Sequence, residues 1–148
     1  MCGKMTEVSP QVRDYMSLHV VTIDASGSVL DAAREIVDNS VGCVVVMKND
    51  DIAGIVTKGD ILKKSLLRLE DPGNTRVSKI MSTPVVTIAP GESLETAAKL
   101  MSERHVSKLP VLDDVGLVVG LISSTDLIRI EPGYVEYLKE LIHSKSKP

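Results

Sequence analysis

The chain contains an internal repeat, and this repeat constrains the fold more than any other feature of the sequence. Residues 20–23, which read Val-Val-Thr-Ile, return 65 residues later as residues 85–88. The pair Ala32-Ala33 returns at the same offset as Ala97-Ala98. After one inserted residue, the Gly-Ile-Val-Thr run that starts at Gly54 matches the run that starts at Gly120. Matches that keep their order over this length predict two similar folding units.

Each copy predicts the element order β-α-β-β-α, and thus a mixed α/β (α+β) fold. The β-rich run at residues 20–23 precedes a predicted helix, residues 28–38, whose apolar positions follow the helical period. Residues 43–47 are continuously apolar, which is typical of a strand inside a sheet. A turn-forming Asn-Asp-Asp run then predicts a hairpin to a second strand, residues 52–56, and a helix follows from Thr57. The first helix has the apolar positions Val29, Ala32, Ala33, Ile36 and Val37.

Two Pro-Gly breaks divide the chain. They predict a first repeat at residues 8–70, a linker at 71–76, a second repeat at 77–130, and a C-terminal helix and tail at 131–148. A repeat of about sixty residues would be only marginally stable alone, so we expect the two repeats to support each other. The apolar face of the last helix is predicted to pack either on the repeats or on a second subunit.

Composition and charge argue against several functional classes. The net charge is −3 and aromatic residues make up 2% of the chain, which disfavours nucleic-acid binding. No apolar run is long enough for a membrane helix, and the polar N-terminus lacks a signal stretch, so we expect a cytoplasmic protein without membrane contacts. Two cysteines, Cys2 and Cys43, with no CxxC motif and no clustered histidines predict no metal site. Cys43 adjoins an apolar strand and is expected to be a small core residue.

Two strand-to-helix junctions carry the residues best suited to bind a ligand. Thr57 and Asp60 lie three residues apart at the first junction, and Ser123 and Asp126 do so at the second. One interpretation is a capping box, in which the hydroxyl and the carboxylate satisfy the helix N-terminus. The other is a ligand site, because a carboxylate with two free oxygens accepts both hydroxyls of a ribose. Unpaired N–H groups at the helix start would also favour an anion.

The repeat resembles the cystathionine-β-synthase (CBS) domain, and the tandem resembles a CBS pair, or Bateman module. The similarity covers about residues 12–130 and rests on four features of each copy. These are a Val-x-x-x-Met start, Val-Val-Thr-Ile, an Ala-Ala helix, and Gly-h-h-[Ser/Thr]-x-x-Asp-h, where h is apolar. The resemblance implies that two β-α-β-β-α repeats pack about a pseudo-two-fold axis and leave two clefts for adenosine compounds.

The resemblance implies that each cleft mixes residues of both repeats. In the first cleft, Asp60 would hold the ribose and Lys108 would bind phosphate. The first cleft comprises Thr57, Asp60, Ser82, Thr83, Val86, Arg104, His105, Ser107 and Lys108. The second cleft comprises Ser17, Val21, Gly42, Cys43, Ser123 and Asp126. Arg104 and His105 either contact phosphate or simply end a helix in solvent.

The two implied clefts differ in charge. Gly42 and Cys43 stand where the other cleft has Ser107 and Lys108, so the second cleft lacks the basic group. We therefore predict that the Asp60 cleft prefers phosphates and that the Asp126 cleft is weaker or more selective for uncharged groups. Because aromatic residues are scarce, Val21 and Val86 would have to enclose the adenine.

These features predict a ligand-sensing regulatory module rather than an enzyme. The expected ligand is AMP, ADP or ATP, with S-adenosylmethionine and NAD as alternatives, and no cofactor is required. The sequence has no nucleophile–base pair, P-loop or catalytic carboxylate cluster. We expect a homodimer, or an unknown effector protein, to read the ligand state. The alternatives are a structural or interaction module with vestigial clefts, and a nucleic-acid-binding CBS protein.

Overall fold

The computed structural model describes residues 9–146, and the side chains of that range except those of residues 140 and 142–146. A π-helical turn, Leu62–Leu66, extends α3, and 3₁₀ turns cover Val77–Lys79 and Pro132–Tyr134. In chain order the elements are α1 (Val12–Tyr15), β1 (Thr22–Asp24), α2 (Val29–Asp38), β2 (Cys43–Lys48), β3 (Asp51–Thr57), α3 (Lys58–Ile61), α4 (Leu94–Arg104), β4 (Lys108–Leu112), β5 (Val118–Ser123), α5 (Ser124–Ile130) and α6 (Val135–Ser146).

The chain forms two compact units. One, the 19–85 unit, contains residues 19–85; the other, the 86–146 unit, contains residues 86–146 together with residues 9–18. Each unit packs helices on a small sheet, so the predicted mixed α/β fold is confirmed. None of the described helices has the length and apolar character needed to cross a membrane.

The 19–85 unit is built on a three-stranded sheet in the order β1-β2-β3. Strand β2 is parallel to β1 and antiparallel to β3, as the β-α-β-β order predicts. The continuous apolar run in β2 is buried on both faces, and Asn49 adopts the left-handed conformation in the predicted hairpin. The core of this unit consists of Val29, Ala32, Ile36, Val44, Val46, Val56, Val77 and Ile80.

Helix α2 starts where the sequence predicts, because Ser28 caps it. The Asp31 N–H donates to Ser28 Oγ at 3.0 Å, and the Ser28 N–H donates to Asp31 Oδ2 at 3.2 Å. One predicted core residue of this helix is not in the core, since Val37 is 74% exposed. Val37 lies at the edge of the apolar stripe, one residue before the helix ends.

The 86–146 unit has a two-stranded sheet, β4-β5, and the predicted strand at residues 85–88 does not form. A single parallel bridge between Ile88 and Val111 stands in its place. In the 19–85 unit the Val45 N–H donates to Val21 O at 2.9 Å. The repeat places Pro110 at the position of Val45, and proline has no N–H to donate. The second copy therefore lacks the equivalent of the Val45–Val21 bond, and Ile88 alone of residues 85–88 bonds the sheet, through Pro110 O at 3.1 Å and the Leu112 N–H at 3.0 Å.

The compact units do not coincide with the sequence repeats, because each repeat's leading segment packs with the other repeat's sheet. Residues 11–17 precede the first repeat's β1, yet Ser17 bridges Leu121 of β5. Likewise Ser82, which follows the linker, bridges Ile55 of β3. The first valines of both segments, Val12 and Val77, are fully buried in these positions.

The Val-x-x-x-Met motif and the repeated glycine meet in this exchange. A Cβ at Gly54 would lie 2.6 Å from Met81 Cγ, and a Cβ at Gly120 would lie 2.8 Å from Met16 Cγ. Both distances are too short for a real contact. Each glycine therefore lets a methionine of the neighbouring leading segment lie directly on the strand.

The two units differ in the part of the chain that follows each hairpin. In the 86–146 unit, α6 packs on the core through Leu138 and Leu141, which are buried, so the last helix packs on this unit. In the 19–85 unit, the equivalent segment carries exposed leucines at Leu62, Leu66, Leu67 and Leu69.

Candidate functional site

The first junction, between β3 and α3, is closed by reciprocal hydrogen bonds. The Asp60 N–H donates to Thr57 Oγ1 at 3.2 Å, and the Thr57 N–H donates to Asp60 Oδ2 at 2.9 Å. Thr57 ends the strand in extended geometry and its hydroxyl starts the helix. The carboxylate is thus held rigidly at the helix start, with 15% of its side-chain surface exposed.

The second junction, between β5 and α5, has the same geometry. The Asp126 N–H donates to Ser123 Oγ at 3.1 Å, and the Ser123 N–H donates to Asp126 Oδ2 at 3.0 Å. Asp126 is more open than Asp60, with 31% of its side chain exposed. The repeat therefore builds the same hydroxyl–carboxylate pair in both units.

These bonds correct the expectation that both carboxylate oxygens are unengaged. At each junction Oδ2 accepts a backbone N–H, as in a capping box. The Ser28–Asp31 pair at α2 forms the same box on an exposed surface. The hydrogen bonds alone thus indicate capping, and what sets Asp60 and Asp126 apart from Asp31 is their partial burial.

The expectation of unpaired N–H groups at these helix starts is also wrong in part. The Lys58 N–H donates to Gly42 O at 3.2 Å, and the Ser124 N–H donates to Ser107 O at 2.8 Å. Since the N–H groups of Asp60 and Asp126 bond their capping hydroxyls, two of the first three donors of each helix are used within the unit. An anion would find little backbone hydrogen bonding there.

A cation lies against each carboxylate, and the sequence interpretation missed both. Lys64 Nζ lies 3.3 Å from Asp60 Oδ1, and Arg129 Nη1 lies 3.9 Å from Asp126 Oδ1. Spacings of four and three residues on a helix bring side chains together, so this signal was present in the sequence. Lys64 also donates to Ile80 O at 3.3 Å, a contact across sixteen residues that no local pattern predicts.

Four of the residues assigned to the first cleft lie in the 19–85 unit. Ser82 exchanges backbone hydrogen bonds with Ile55 at 2.9 and 3.2 Å, close to the end of β3 and to Thr57. Thr83 follows it and is exposed. All four residues thus belong to one compact unit, and Ser82 is bonded to the strand that ends at Thr57.

The other residues assigned to the first cleft lie in the 86–146 unit. Lys108 pairs with Ser123 in the β4–β5 ladder, so it stands beside the Asp126 junction of its own unit. Arg104 is the last residue of α4, and His105 follows it in the left-handed conformation; both are exposed. The assignment of these residues, with Val86 and Ser107, to a cleft with Asp60 stays a prediction.

The second predicted cleft is divided in the same way. Ser17 bridges Leu121 in the unit that holds Ser123 and Asp126. Val21, Gly42 and Cys43 belong to the 19–85 unit, where Cys43 is buried and pairs with Thr57. Cys43 thus occupies the position beside Thr57 that Lys108 occupies beside Ser123, and the two junctions differ in charge at this position.

The described residues contain no cluster of three or more His, Cys, Asp or Glu side chains that could hold a metal ion. The chemistry available at both junctions is therefore a carboxylate, a hydroxyl and a cation on a rigid helix start.

Comparison with known proteins identifies the family. The model of the CBS domain matches residues 12–67 and again residues 77–133. The chain belongs to the CBS domain family. Its two matches make it a CBS pair, as the repeat predicts.

Several relatives share this pair. The uncharacterized protein MJ0450 of Methanocaldococcus jannaschii is 34% identical over 126 residues, which cover 83% of this chain and 67% of that protein. The L-aspartate semialdehyde sulfurtransferase of Methanosarcina acetivorans is 34% identical over 128 residues, which cover 86% of this chain but 25% of the enzyme. The CBS pair is thus a minor part of that enzyme.

A solved structure of similar fold contains adenosyl ligands. It is the CBS domain pair of protein MJ0100, in complex with 5′-methylthioadenosine and S-adenosyl-L-methionine. The TM-score is 0.77 and the identity 27%, with 85% of this chain and 98% of that chain covered.

Proposed function

We propose that this CBS pair is a regulatory module that binds an adenosine-type ligand, such as AMP, ADP, ATP or a related adenosyl compound, at the Thr57–Asp60 and Ser123–Asp126 junctions. The observation that carries this proposal is the partly buried hydroxyl–carboxylate pair at the same place in both units. The similarity to a CBS pair solved with two adenosyl compounds supports the choice of ligand.

The capped carboxylates are still able to bind a diol. Each carboxylate oxygen has two lone pairs. In Asp60 the Thr57 N–H uses one lone pair of Oδ2, and Lys64 Nζ lies at ion-pair distance from Oδ1. One acceptor position remains on each oxygen, which suits the two neighbouring hydroxyls of a ribose. The capping box thus fixes the carboxylate in advance and lowers the entropic cost of ligand binding.

The base and the phosphate would be recognised by other predicted site residues. Val86 in the first predicted cleft and Val21 in the second are half-buried, and each would pack on the adenine of its own cleft. Lys108 is half-buried and would contact phosphate. We expect the Asp60 site to favour phosphate-bearing ligands and the Asp126 site to favour uncharged groups. The ligand state would then be passed to a second copy of the chain or to an effector protein.

Thermal unfolding with a ligand panel tests this function. The panel contains adenosine, AMP, ADP, ATP, NAD, S-adenosylmethionine and 5′-methylthioadenosine, with GMP and UMP as controls. A ligand at a hundred times its Kd stabilises the folded state by about 2.7 kcal/mol. We expect stabilisation by at least one adenosine compound and none by UMP. A flat response to the whole panel would favour a module with vestigial clefts.

Calorimetry on single variants assigns the sites. Asp60→Ala and Asp126→Ala should each abolish one binding event. Asp31→Ala is the matched control, because Asp31 forms the same capping box on an exposed surface. All three variants should lose about 1 kcal/mol of stability or less, because the capping hydroxyl stays and only the carboxylate that accepts the N-cap N–H is lost. Equal affinities in the control and in both site variants would contradict the proposal.

A further inference from the structure

Lys64 is the most constrained cation near either carboxylate. Its ammonium lies 3.3 Å from Asp60 Oδ1 and donates to Ile80 O at 3.3 Å. Only 34% of its side chain is exposed. It therefore joins the candidate carboxylate to the backbone beside Met81, the residue that lies on Gly54.

The equivalent cation in the other unit lies farther from its carboxylate and is more exposed. Arg129 lies 3.9 Å from Asp126 Oδ1 and its side chain is 75% exposed. Exposed pairs of this kind contribute little, because water and salt screen them. The two carboxylates thus share a capping geometry but differ in how firmly their charge is neutralised.

The ammonium of Lys64 can also contact a ligand. An ammonium group has three N–H donors, and Ile80 O accepts one of those of Lys64. Asp60 Oδ1 lies at an ion-pair distance of 3.3 Å, and a donor remains for an acceptor on a ligand. In addition, the partly buried ion pair offsets the negative charge that Asp60 alone would present to an approaching anion.

We propose that Lys64 is a specificity-determining residue of the Asp60 site, which neutralises the diol-binding carboxylate and so lets this site accept an anionic nucleoside phosphate. This inference rests on the proposed function and adds the charge of the ligand. It also assigns the preference for phosphate to a residue of the same unit as Asp60, in addition to the predicted role of Lys108.

The test compares AMP with adenosine, which differ only in the phosphate. Calorimetry would measure both affinities for the full chain and for Lys64→Gln, Lys64→Arg and Lys63→Gln. Lys63 is the matched control, because it is the neighbouring lysine on the same helix and is exposed. Loss of one partly buried charge near a phosphate weakens binding roughly five- to tenfold.

We expect Lys64→Gln to weaken AMP binding about fivefold to tenfold more than adenosine binding. Lys64→Arg should keep the ratio of the two affinities within about twofold, and Lys63→Gln should leave it unchanged because its charge is solvated. If Lys64→Gln fails to fold, Lys64→Met, which keeps the aliphatic stem, serves in its place.

The outcomes separate this inference from the proposed function. If the unmodified chain binds neither AMP nor adenosine, the role of Lys64 is wrong, and the proposed function is wrong as well if no other adenosine compound of the panel binds. If it binds through Asp60, but Lys64→Gln or Lys64→Met changes both affinities equally, the role of Lys64 in specificity is wrong. The same conclusion follows if Lys63→Gln has as large an effect on the ratio.

Discussion

The 19–85 and 86–146 units come from one repeated sequence, yet they complete their structures differently. The first has three strands and leaves leucines exposed on the segment after α3. The second has two strands and is covered by α6. A lost strand and an added helix are thus tolerated, while the hydroxyl–carboxylate junction keeps its geometry to within 0.1 Å in both hydrogen bonds. The comparison teaches that the junction is preserved where the first strand and the last helix are not.

The largest expected effect on stability comes from removing the packing of α6, which only the 86–146 unit has. Leu138 is fully buried, so Leu138→Ala should leave a cavity and reduce the free energy of unfolding by about 3 kcal/mol. Leu66→Ala is the control, because Leu66 is 62% exposed and its loss should change stability by less than about 0.5 kcal/mol. Urea denaturation measures both. Similar losses for the two variants would show that α6 does not contribute to the core.

The next effect tests the exchange of leading segments. Val12→Ala removes buried surface and should cost about 2 kcal/mol. Hydrogen exchange should then accelerate in β4 and β5 of the 86–146 unit, whereas Val77→Ala should accelerate exchange in β2 and β3. Val12→Ala that loosened the 19–85 unit instead would contradict the exchange.

A third prediction concerns the close approach of Met81. Gly54→Ala places a Cβ 2.6 Å from Met81 Cγ and should cost roughly 1–3 kcal/mol. A second substitution, Met81→Ala, should recover part of that loss. Gly59→Ala is the control, since its nearest neighbour lies 3.7 Å away and alanine favours a helix. A loss in Gly54→Ala that Met81→Ala leaves unchanged would show that the two residues are not coupled.

The smallest effect appears only at high pH. Burial, with smaller contributions from Glu95, Glu131 and Tyr137, raises the pKa of Tyr134 above its usual value. The folded state therefore favours the neutral phenol, and its stability should fall as the pH rises above about 10. Tyr134→Phe should reduce this fall by a few tenths of a kcal/mol and leave stability at pH 7 unchanged. Parallel denaturation curves at pH 7 and pH 10.5 would measure it.

Local patterns predicted the elements well. Ser28 and Asp31 correctly predicted the start of α2, and the apolar run in β2 correctly predicted a buried strand. The predicted strand at residues 85–88 was wrong, because a match to residues 20–23 does not show whether the neighbouring strand can supply every hydrogen bond. That neighbour includes Pro110, which has no N–H.

The sequence predicted the hydroxyl–carboxylate pair of each junction, but it did not predict the contacts that these residues make. The spacing of Thr57 and Asp60 suited a cap and a ligand equally, and the structure has the cap. The Lys64–Asp60 pair follows from helical spacing, but the contact of Lys64 with Ile80 depends on how a distant segment docks. Sequence patterns report neighbours on one element, and a site also depends on contacts between elements.

The exchange of leading segments sets an order of events during synthesis. Residues 9–18 emerge early, but their docking strand β5 is made about a hundred residues later, a delay of roughly 5–20 s at ordinary translation rates. The 19–85 unit, in contrast, has everything it needs once residue 85 has emerged. Residues 9–18 are therefore ordered later than the 19–85 unit, and their apolar side chains stay unpacked through this interval.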